Sequence, residues 1–517
     1  MQDDRVRFRD LLRGIVSTLP DFATTQRGLW NLIRYKPDTL FSIGLRVEQL
    51  AAGQPRQVAL RFDDSAWTYA EFNAWANRIA HTLKAAGIGR GDAVALLFEN
   101  RAEALASALA IIKLGAVAAM LNPQQRGDVL AHSIGLVAAK AIIAGEECCA
   151  ALDGAGYGPS RGDGLLLWWD GEGAAPQGYR SLRDDSATAS SANPPDTAQV
   201  QLRDACFYIF TSGTTGLPKA SRMTHYRWMR SLAGVGQLAV RMRGDDVLYC
   251  PLPLYHNNAL TVSWSATLSA GATLALGRKF SASRFWDEIR RYDATAFCYI
   301  GELCRYLLNQ PPKASDREHR VRLVIGNGLR AELWDNFQQR FGIERICEFY
   351  GASEANLAFV NGFGLARTAG FCPMPFAIAE FDAVEEVAKR GADGYMAHVA
   401  KGGVGLLITE VTERAPFDGY TDKKASEAKL LRDVFKKGDC WFNSGDLVRD
   451  QGFAHIQFVD RVGDTFRWKG ENVATTEVEG VLNQFAGIAE AVVYGVLLPD
   501  SDGRAGMASV QLRDGAE

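Results

Sequence analysis

The sequence has no large excess of charge of either sign. Its 57 lysines and arginines nearly balance 60 aspartates and glutamates, so the formal net charge is −3. This excludes an overall basic field that would hold nucleic acid or an anionic membrane, although it leaves a local basic patch open. With 47% hydrophobic and 23% charged residues, the chain also lacks the composition of a disordered protein.

Cysteines in metal-binding or redox spacing are missing as well. The nine cysteines are scattered, and the close pair Cys148 and Cys149 is adjacent, which matches neither a CxxC zinc site nor a CxxC redox motif. A reducing cytoplasm therefore fits best. Charges throughout residues 1–13 leave no apolar core for a secretory signal, so we expect no export.

Long hydrophobic runs are also absent. The longest apolar stretch extends from residue 103 to residue 121, and Lys113 divides it into parts too short to span a bilayer as one helix. We therefore expect a soluble or peripheral protein. Membrane association stays open, because an amphiphilic substrate would favour it but the sequence shows no basic amphipathic segment that requires it.

What the sequence does contain is alternation of helices and strands. Thr68-x-x-Glu71 is a capping box, and apolar residues then recur at helical spacing until Gly87 offers a stop. A strand, a helix and a second strand follow at 93–98, 101–113 and 116–121. This order is typical of βαβ units with a parallel sheet.

The alternation is interrupted between residues 154 and 196. Gly, Ser, Pro and Asp dominate this segment, and its one short apolar piece is residues 165–169. We therefore expect a surface loop and a subdomain boundary there. Regular α/β patterning resumes at Cys206 and continues past Tyr350.

A glycine- and hydroxyl-rich segment, Thr211-Ser-Gly-Thr-Thr-Gly-Leu-Pro-Lys219, follows the apolar residues 208–210. Glycines let backbone amides approach an anion, hydroxyls donate hydrogen bonds or reach Mg²⁺, and the lysine neutralises charge. The segment differs from the Walker A pattern GxxxxGK[ST]. It nevertheless predicts a loop that wraps a polyphosphate.

Two more motifs follow in order, Tyr350-Gly-Ala-Ser-Glu-Ala-Asn356 and Ser444-Gly-Asp446, the second followed by Asp460-Arg461. Together with residues 211–219, they resemble the signatures of the adenylate-forming superfamily of acyl-CoA synthetases, luciferases and nonribosomal adenylation domains. Residues 416–422 and 466–478 are similar to the fatty acid transport protein and very-long-chain acyl-CoA synthetase branch.

The resemblance implies a ligase that uses ATP, Mg²⁺ and coenzyme A on a long-chain fatty acid. A carboxylate would attack the α-phosphorus of ATP to give an acyl-adenylate and pyrophosphate, and the coenzyme A thiol would then displace AMP. Two alternatives stay open: an impaired acyl- or ATP-binding protein, or a CoA ligase for a carnitine-like or sterol-like carboxylate. A homodimer is also left open.

The resemblance also implies roles for individual residues. Lys219, Glu354, His256 and Arg461 would be catalytic, and Thr211 and Glu354 would hold the metal. His256 would lie between the acyl pocket and the coenzyme A channel, with a structural role as the alternative. Asp446 would bind the ribose, and Arg461 would lie at an interdomain hinge where Asp464 takes the pivot. The full set expected to bind nucleotide or coenzyme A is Thr211, Ser212, Gly213, Thr214, Thr215, Gly216, Lys219, Gly328, Tyr350, Gly351, Ser353, Asp446, Arg461, Arg467 and Lys469.

The fold implied is a large N-terminal domain of layered α/β subdomains with parallel sheets and a β-barrel-like subdomain, over residues 1–459. A small α+β domain would begin at residue 460. No lysine follows Lys469 before Glu517, whereas the family has a C-terminal lysine on the reacting groups. From this we expect a shortened small domain and slow adenylate formation.

Overall fold

The computed structural model describes residues 5–159, 164–211, 217–351, 355–382, 387–413, 415–420, 422–462, 466–468, 471–473, 475–497 and 504–513. Its α-helices are α1 (Phe8–Ser17), α2 (Phe22–Arg34), α3 (Ile43–Gly53), α4 (Tyr69–Ala85), α5 (Ala102–Lys113), α6 (Gly127–Leu136), α7 (Cys149–Gly154), α8 (Leu182–Ala187), α9 (His225–Ser231), α10 (Trp264–Ala270), α11 (Phe285–Arg291), α12 (Gly301–Asn309), α13 (Ala331–Phe341), α14 (Lys423–Glu427) and α15 (Thr475–Leu482). Short 3-10 helices lie at Leu19–Asp21, Glu146–Cys148, Pro195–Gln199 and Ala314–Arg317, and π-helices at Leu232–Val240 and Asn258–Ser263.

The strands are β1 (Val58–Phe62), β2 (Ser65–Thr68), β3 (Ala93–Leu97), β4 (Val117–Leu121), β5 (Ala141–Gly145), β6 (Leu166–Asp170), β7 (Arg180–Ser181), β8 (Ala205–Thr211), β9 (Lys219–Thr224), β10 (Val247–Cys250), β11 (Thr273–Leu276), β12 (Ala296–Ile300), β13 (Leu323–Asn327), β14 (Arg345–Tyr350), β15 (Phe359–Val360), β16 (Gly370–Phe371), β17 (Phe376–Ala379), β18 (Phe381–Asp382), β19 (Val387–Ala388), β20 (Val404–Glu410), β21 (Leu430–Arg432), β22 (Cys440–Gly452), β23 (His455–Arg461), β24 (Phe466–Trp468), β25 (Glu471–Val473), β26 (Ile488–Leu497) and β27 (Arg504–Leu512).

Seven strands form one sheet in the order β7-β6-β5-β3-β4-β8-β9. Neighbouring strands are parallel except for the antiparallel β8–β9 hairpin. The strands β3 and β4 and the helix α5 between them occupy the segments that the apolar pattern predicts. Because both faces of a parallel sheet are covered, these strands are continuous apolar runs rather than alternating ones.

The second sheet has 14 strands, in the order β17-β20-β22-β23-β16-β15-β14-β13-β12-β10-β11-β1-β2, with β21 beside β22. From β1 to β14 the paired strands are parallel, apart from the edge strand β2. From β14 to β17 they are antiparallel, and they continue the same sheet without a break. The prediction of a layered α/β fold with parallel sheets is confirmed.

The apolar stretch 103–121 lies inside the protein. It contains α5, whose residues are buried along nearly its whole length, and β4. Lys113 is fully buried, and its Nζ lies 2.8 Å from Glu48 Oε1 and 2.7 Å from Asn73 Oδ1. No helix in the described part of the chain is both long and apolar enough to cross a membrane.

The segment 154–196 differs from the predicted loop. It contains β6 and β7, which extend the seven-stranded sheet, and α8, whose N-cap Ser181 accepts a hydrogen bond from the Asp184 N–H. Trp168 and Leu182 are buried in the main core, so this segment belongs to the same packed unit. The expected subdomain boundary is therefore wrong. The sequence did not show β7 and α8, because a short edge strand and a six-residue helix leave little apolar pattern.

The chain after β22 runs through the predicted domain limit at residue 460. Strand β23 ends at Arg461, and the β24–β25 hairpin, α15 and the β26–β27 hairpin follow. Arg330 contacts Glu479 of α15 through a 2.9 Å ion pair, so this last part touches the turn after β13. The domain limits themselves stay a prediction.

Candidate active site

The parallel strands of the large sheet end at a common edge, where several of the predicted site residues lie. Gly328 follows β13, Tyr350 is the last residue of β14, and His256 lies in the segment after β10. Carboxyl ends of parallel strands leave a crevice in which α/β proteins bind ligands. The fold therefore places these three residues at the edge of the sheet where a ligand cleft is expected.

Glycine is required at two positions here, one inside β13 and one in the turn after it. Gly328 has a φ of +79°, which a side chain would strain. A Cβ at Gly326 would lie 2.2 Å from the Tyr299 carbonyl oxygen, because β12 and β13 approach closely there. Gly328 is exposed and permits the turn, whereas Gly326 is buried within β13 and permits the close pairing with β12.

A buried carboxyl group supports the same turn from below. Glu348 lies on β14, and its Oε1 accepts a hydrogen bond of 3.1 Å from the Leu329 N–H. The Tyr299 hydroxyl donates to Oε2 of Glu348, and Asn258 donates to the Tyr299 carbonyl at 3.0 Å. The site is thus held by a network that links β12, β14, the turn after β13 and the π-helix at Asn258–Ser263.

Burial raises the pKa of Glu348 to about 8, because removal from water disfavours the ionised carboxylate. The unfolded chain loses this proton near the ordinary value of 4.5, whereas the folded protein keeps it up to about pH 8. The native state then binds more protons than the unfolded state, so the free energy of unfolding falls as pH rises through this window, by up to ~1.4 kcal/mol per pH unit.

We therefore expect Glu348→Gln to flatten the pH dependence of stability between about pH 5 and about pH 8. Glutamine keeps an acceptor for the Leu329 N–H but has no proton to lose. Thermal unfolding of both proteins across this range measures the effect. Equal slopes for the wild type and Glu348→Gln would contradict a protonated Glu348 in the native state.

Tyr350 and Asp446 are in direct contact although 96 residues separate them. The Tyr350 hydroxyl donates a 2.5 Å hydrogen bond to Asp446 Oδ2. Gly445, with a φ of +76°, permits the tight turn before Asp446, and the Asp446 N–H donates to Ser444 Oγ at 3.1 Å. The Arg461 Nε lies 3.7 Å from Asp446 Oδ1, so the second and third motifs and the predicted hinge arginine share one cluster.

The 211–219 motif closes the β8–β9 hairpin. Thr211 and Lys219 are directly opposed across the two strands, so both ends of the loop are adjacent. The Lys219 ammonium lies 5.7 Å from the centroid of the Tyr420 ring, within cation–π range. Tyr420 also forms a β-bridge with Ser221.

The segment that contains Tyr420 is attached to the hairpin by polar contacts. The Thr224 hydroxyl donates to Asp418 Oδ2 at 3.3 Å, and the Arg222 N–H donates to the Gly419 carbonyl. Arg227, which follows the hairpin, donates a 2.7 Å hydrogen bond to the Ala355 carbonyl in the second motif. Arg227 of α9 therefore links the hairpin that contains the first motif to the second motif.

His256 lies outside this hydrogen-bonded cluster. Its ring centroid is 4.4 Å from that of Tyr255, and its backbone N–H donates to the Pro253 carbonyl at 3.0 Å. The side chain is accessible to solvent, yet desolvation by neighbouring protein atoms lowers the pKa of His256 below its ordinary value. The neutral ring is thus the favoured form near neutral pH.

Several predicted site residues lie outside the described residues: Ser212, Gly213, Thr214, Thr215, Gly216, Ser353, Glu354, Asp464 and Lys469. For Arg467 the described part is the backbone in β24. Gly351 is described and exposed, directly after Tyr350. The roles expected of all these residues stay predictions.

Sequence reasoning missed the supporting residues Tyr299, Glu348 and Asn258. One signal was available, because Glu348 is an acidic residue inside the otherwise apolar end of β14, two positions before Tyr350. A charge at such a position is either a functional group or a buried, hydrogen-bonded one. The contact of Tyr420 with Lys219 had no signal, since the resemblance marked residues 416–422 without a role.

A mixed α/β sheet whose parallel strands end beside a glycine turn, a tyrosine and a buried carboxyl group places this chain among the α/β proteins that bind ligands at strand ends. A family model described as AMP-binding enzyme matches residues 47–395. The chain is 50% identical over 514 residues to a medium/long-chain-fatty-acid–CoA ligase of Mycobacterium tuberculosis, covering 99% of this chain and 84% of that protein. It is 40% identical over 474 residues to human long-chain fatty acid transport protein 1, covering 88% and 72%.

Solved structures support the same fold. ATP-bound MatB of Rhodopseudomonas palustris has a TM-score of 0.75 at 24% identity, over 92% of this chain and 89% of that one. A fatty acyl CoA synthetase of Mycobacterium tuberculosis has a TM-score of 0.67 at 24% identity, over 92% and 88%. The chain belongs to the AMP-binding enzyme family, which is the adenylate-forming superfamily that its three motifs resemble.

Proposed function

We propose that this protein is an ATP-dependent fatty acid–CoA ligase that works through an acyl-adenylate. The observation that supports it most directly is the 2.5 Å hydrogen bond between Tyr350 and Asp446, which joins two motifs at the carboxyl edge of the parallel sheet. The 50% identity to a medium/long-chain-fatty-acid–CoA ligase supports the substrate class.

In the first step, a carboxylate oxygen forms a bond to the α-phosphorus of ATP while the bond to pyrophosphate breaks. Such a displacement depends on positioning and charge neutralisation rather than on a protein nucleophile. We assign the loop 211–219 to the phosphates, with Lys219 neutralising their charge. The opposition of Thr211 and Lys219 supports this role, because both ends of the loop then face the same anion.

The nucleoside would lie against the turns at Gly328 and Gly351. We assign Tyr350 to the adenine ring and Asp446 to the ribose hydroxyls. A carboxylate has lone pairs for several hydrogen bonds, which suits a residue that binds two ribose hydroxyls. The 13% exposure of its side chain supports this assignment, since a partly buried carboxylate binds hydroxyls in weaker competition with water.

Thr211 and Glu354 would hold Mg²⁺, and Ser353, next to Glu354 in the sequence, would bind the nucleotide. Hydroxyl and carboxylate oxygens are the donors that this ion prefers, so the residue types fit. When bound, the ion supplies additional neutralisation of the phosphate charge. The position of Thr211 at the carboxyl end of β8 supports its access to the cleft.

In the second step, the sulfur of coenzyme A would bond to the acyl carbonyl carbon and AMP would leave. We assign Arg461 to the hinge of the small domain, and Arg467 and Lys469 to the face that admits coenzyme A. The contact of Arg461 with Asp446 supports a link between nucleotide and hinge. His256, with its lowered pKa, would contribute a neutral ring between acyl pocket and thiol channel.

We also propose a cytoplasmic location. All nine cysteines are described and each is a free thiol, eight of them buried. Free thiols in this number are typical of a reducing compartment.

A panel of carboxylic acids tests the function through acid-dependent release of pyrophosphate. We expect turnover with aliphatic acids of about ten or more carbons, since each buried methylene adds ~0.8 kcal/mol of binding, and little turnover with acetate or an aromatic acid. Turnover restricted to short or aromatic acids would overturn the substrate class. ATP binding without pyrophosphate release from any acid would favour the impaired binding protein instead.

A further inference from the structure

The first two helices place large apolar side chains on the outside of the protein. Phe8, Leu12 and Val16 of α1 and Phe22, Trp30 and Ile33 of α2 are between 51% and 71% exposed. They are four and eight residues apart in α1 and three, eight and eleven apart in α2, which aligns them along one side of each helix. We call these six residues the N-terminal apolar face.

The inner sides of the same helices have small or polar residues instead. A Cβ at Gly14 would lie 2.7 Å from the Phe363 carbonyl oxygen, and one at Gly28 would lie 2.8 Å from a Leu238 methyl carbon. The Asn31 side chain donates a 2.9 Å hydrogen bond to Gln237 Oε1. Rotation of either helix to bury its large side chains would replace these close contacts with clashes. The packing of the inner sides therefore keeps the large apolar side chains pointing outward.

The surroundings of the apolar face are basic. Residues 5–36 contain seven arginines and lysines but two aspartates, although the whole chain has a net charge of −3. One of those aspartates, Asp21, is 3.2 Å from Arg241, and the other, Asp10, is 3.7 Å from Arg9. The acidic groups are thus partly neutralised locally, and the face presents apolar side chains within positive charge.

The exposed apolar side chains and the basic residues around them favour one kind of binding surface over another. A second copy of the chain would bring two basic segments together, which repels, whereas an anionic lipid surface attracts them. The helices have 10 and 13 residues, about 15 and 20 Å at ~1.5 Å per residue, so each is too short to cross a hydrocarbon core of ~30 Å. They suit an orientation parallel to the interface.

We infer that the N-terminal apolar face docks this protein onto the surface of an anionic phospholipid bilayer, with α1 and α2 lying in the interfacial layer. The two helices form a basic amphipathic segment, contrary to the expectation from the sequence that no such segment is present. Docking needs neither ATP nor an acyl substrate, so membrane binding can be tested separately from the ligase activity.

Co-sedimentation with vesicles tests this inference, using phosphatidylcholine alone and phosphatidylcholine mixed with phosphatidylglycerol. We expect the full chain to bind the mixed vesicles and to dissociate as salt increases. Phe22→Ser/Trp30→Ser should lower the partition coefficient by at least about tenfold, because each buried aromatic side chain contributes over 1.4 kcal/mol. Arg9→Glu/Arg13→Glu should lower binding to the mixed vesicles specifically.

Phe485→Ser is the matched control, since Phe485 is 60% exposed like Phe22 and Trp30 but lies after α15. It should bind vesicles like the wild type, and circular dichroism should confirm that all variants are folded. Failure of the wild type to bind mixed vesicles would overturn the inference. So would equal losses in Phe485→Ser and the double variant, or a wild-type dimer that Phe22→Ser/Trp30→Ser dissociates, which would make a second copy the occupant.

Discussion

Lys219→Met is expected to lower fatty-acid-dependent pyrophosphate release by about 10²–10³-fold, the usual cost of removing one preorganised group that stabilises developing charge. Methionine keeps an unbranched apolar side chain but loses the ammonium, so packing against Tyr420 is largely preserved. Because the lysine contributes most in the transition state, the rate should fall more than the affinity for ATP. Single-turnover kinetics with a long-chain acid measure the rate, and calorimetric titration measures the affinity.

Lys219→Arg is the matched control for this experiment. It keeps the positive charge but changes its shape, so we expect a smaller loss than in Lys219→Met. Thermal unfolding of both variants checks whether the Lys219–Tyr420 contact mainly stabilises the hairpin. If Lys219→Met kept wild-type turnover, or if it lost activity only in proportion to lost folded protein, the proposed catalytic role would be refuted.

Asp446→Ala should weaken ATP binding by about 10- to 150-fold, since a hydrogen bond to a charged group contributes about 1.5–3 kcal/mol. The carboxylate is 13% exposed and already ordered by its turn and by Tyr350, so little entropy is lost when ribose hydroxyls bind. Isothermal titration with ATP measures the change. With an analogue that lacks both ribose hydroxyls, the wild type and Asp446→Ala should bind almost equally.

Tyr350→Phe separates the ribose contact from the Tyr350–Asp446 bond. Phenylalanine keeps the ring for adenine but cannot donate to Asp446, so its effect should be smaller than that of Asp446→Ala. In a double-mutant cycle, Asp446→Ala should still weaken ATP binding when Tyr350 is phenylalanine. If Asp446→Ala had no effect in that background, the carboxylate would act only by positioning Tyr350.

Much of the core fold could be predicted because it depends on local pattern. The apolar runs at β3 and β4 and the helix between them have lengths and boundaries that suit a buried parallel sheet, and the structure has them there. The Thr68–Glu71 capping box also forms as predicted, since its two hydrogen bonds join residues three positions apart. Between 154 and 196 the apolar piece 165–169 corresponds to β6, but β7 and α8 could not be found, because a two-residue edge strand and a six-residue helix contain too few apolar residues for a period.

Sequence motifs predict the residue types of the candidate site, but they do not predict the contacts between those residues. Motif spacing identifies Lys219, Tyr350 and Asp446, whereas the bond between Tyr350 and Asp446 depends on how β14 and β22 are positioned by the antiparallel strands between them. The role of Glu348 depends likewise on two neighbouring elements that hydrogen-bond to it, β12 and the turn after β13. A sequence shows which side chains can hydrogen-bond, but burial decides which of them must.

The sequence by itself determined the α/β class, the order of the motifs and the chemistry of the residues in them, because propensity, apolar period and motif spacing are local properties. Only the tertiary structure decided which side of each helix faces inward. In α1 and α2, helical periodicity defines an apolar side and a polar side, and burial of the apolar side would be the usual outcome. Here the opposite side of each helix is packed inward, because Gly14 and Gly28 lie in close contact with Phe363 and Leu238. A backbone can pack this tightly only where no side chain intervenes.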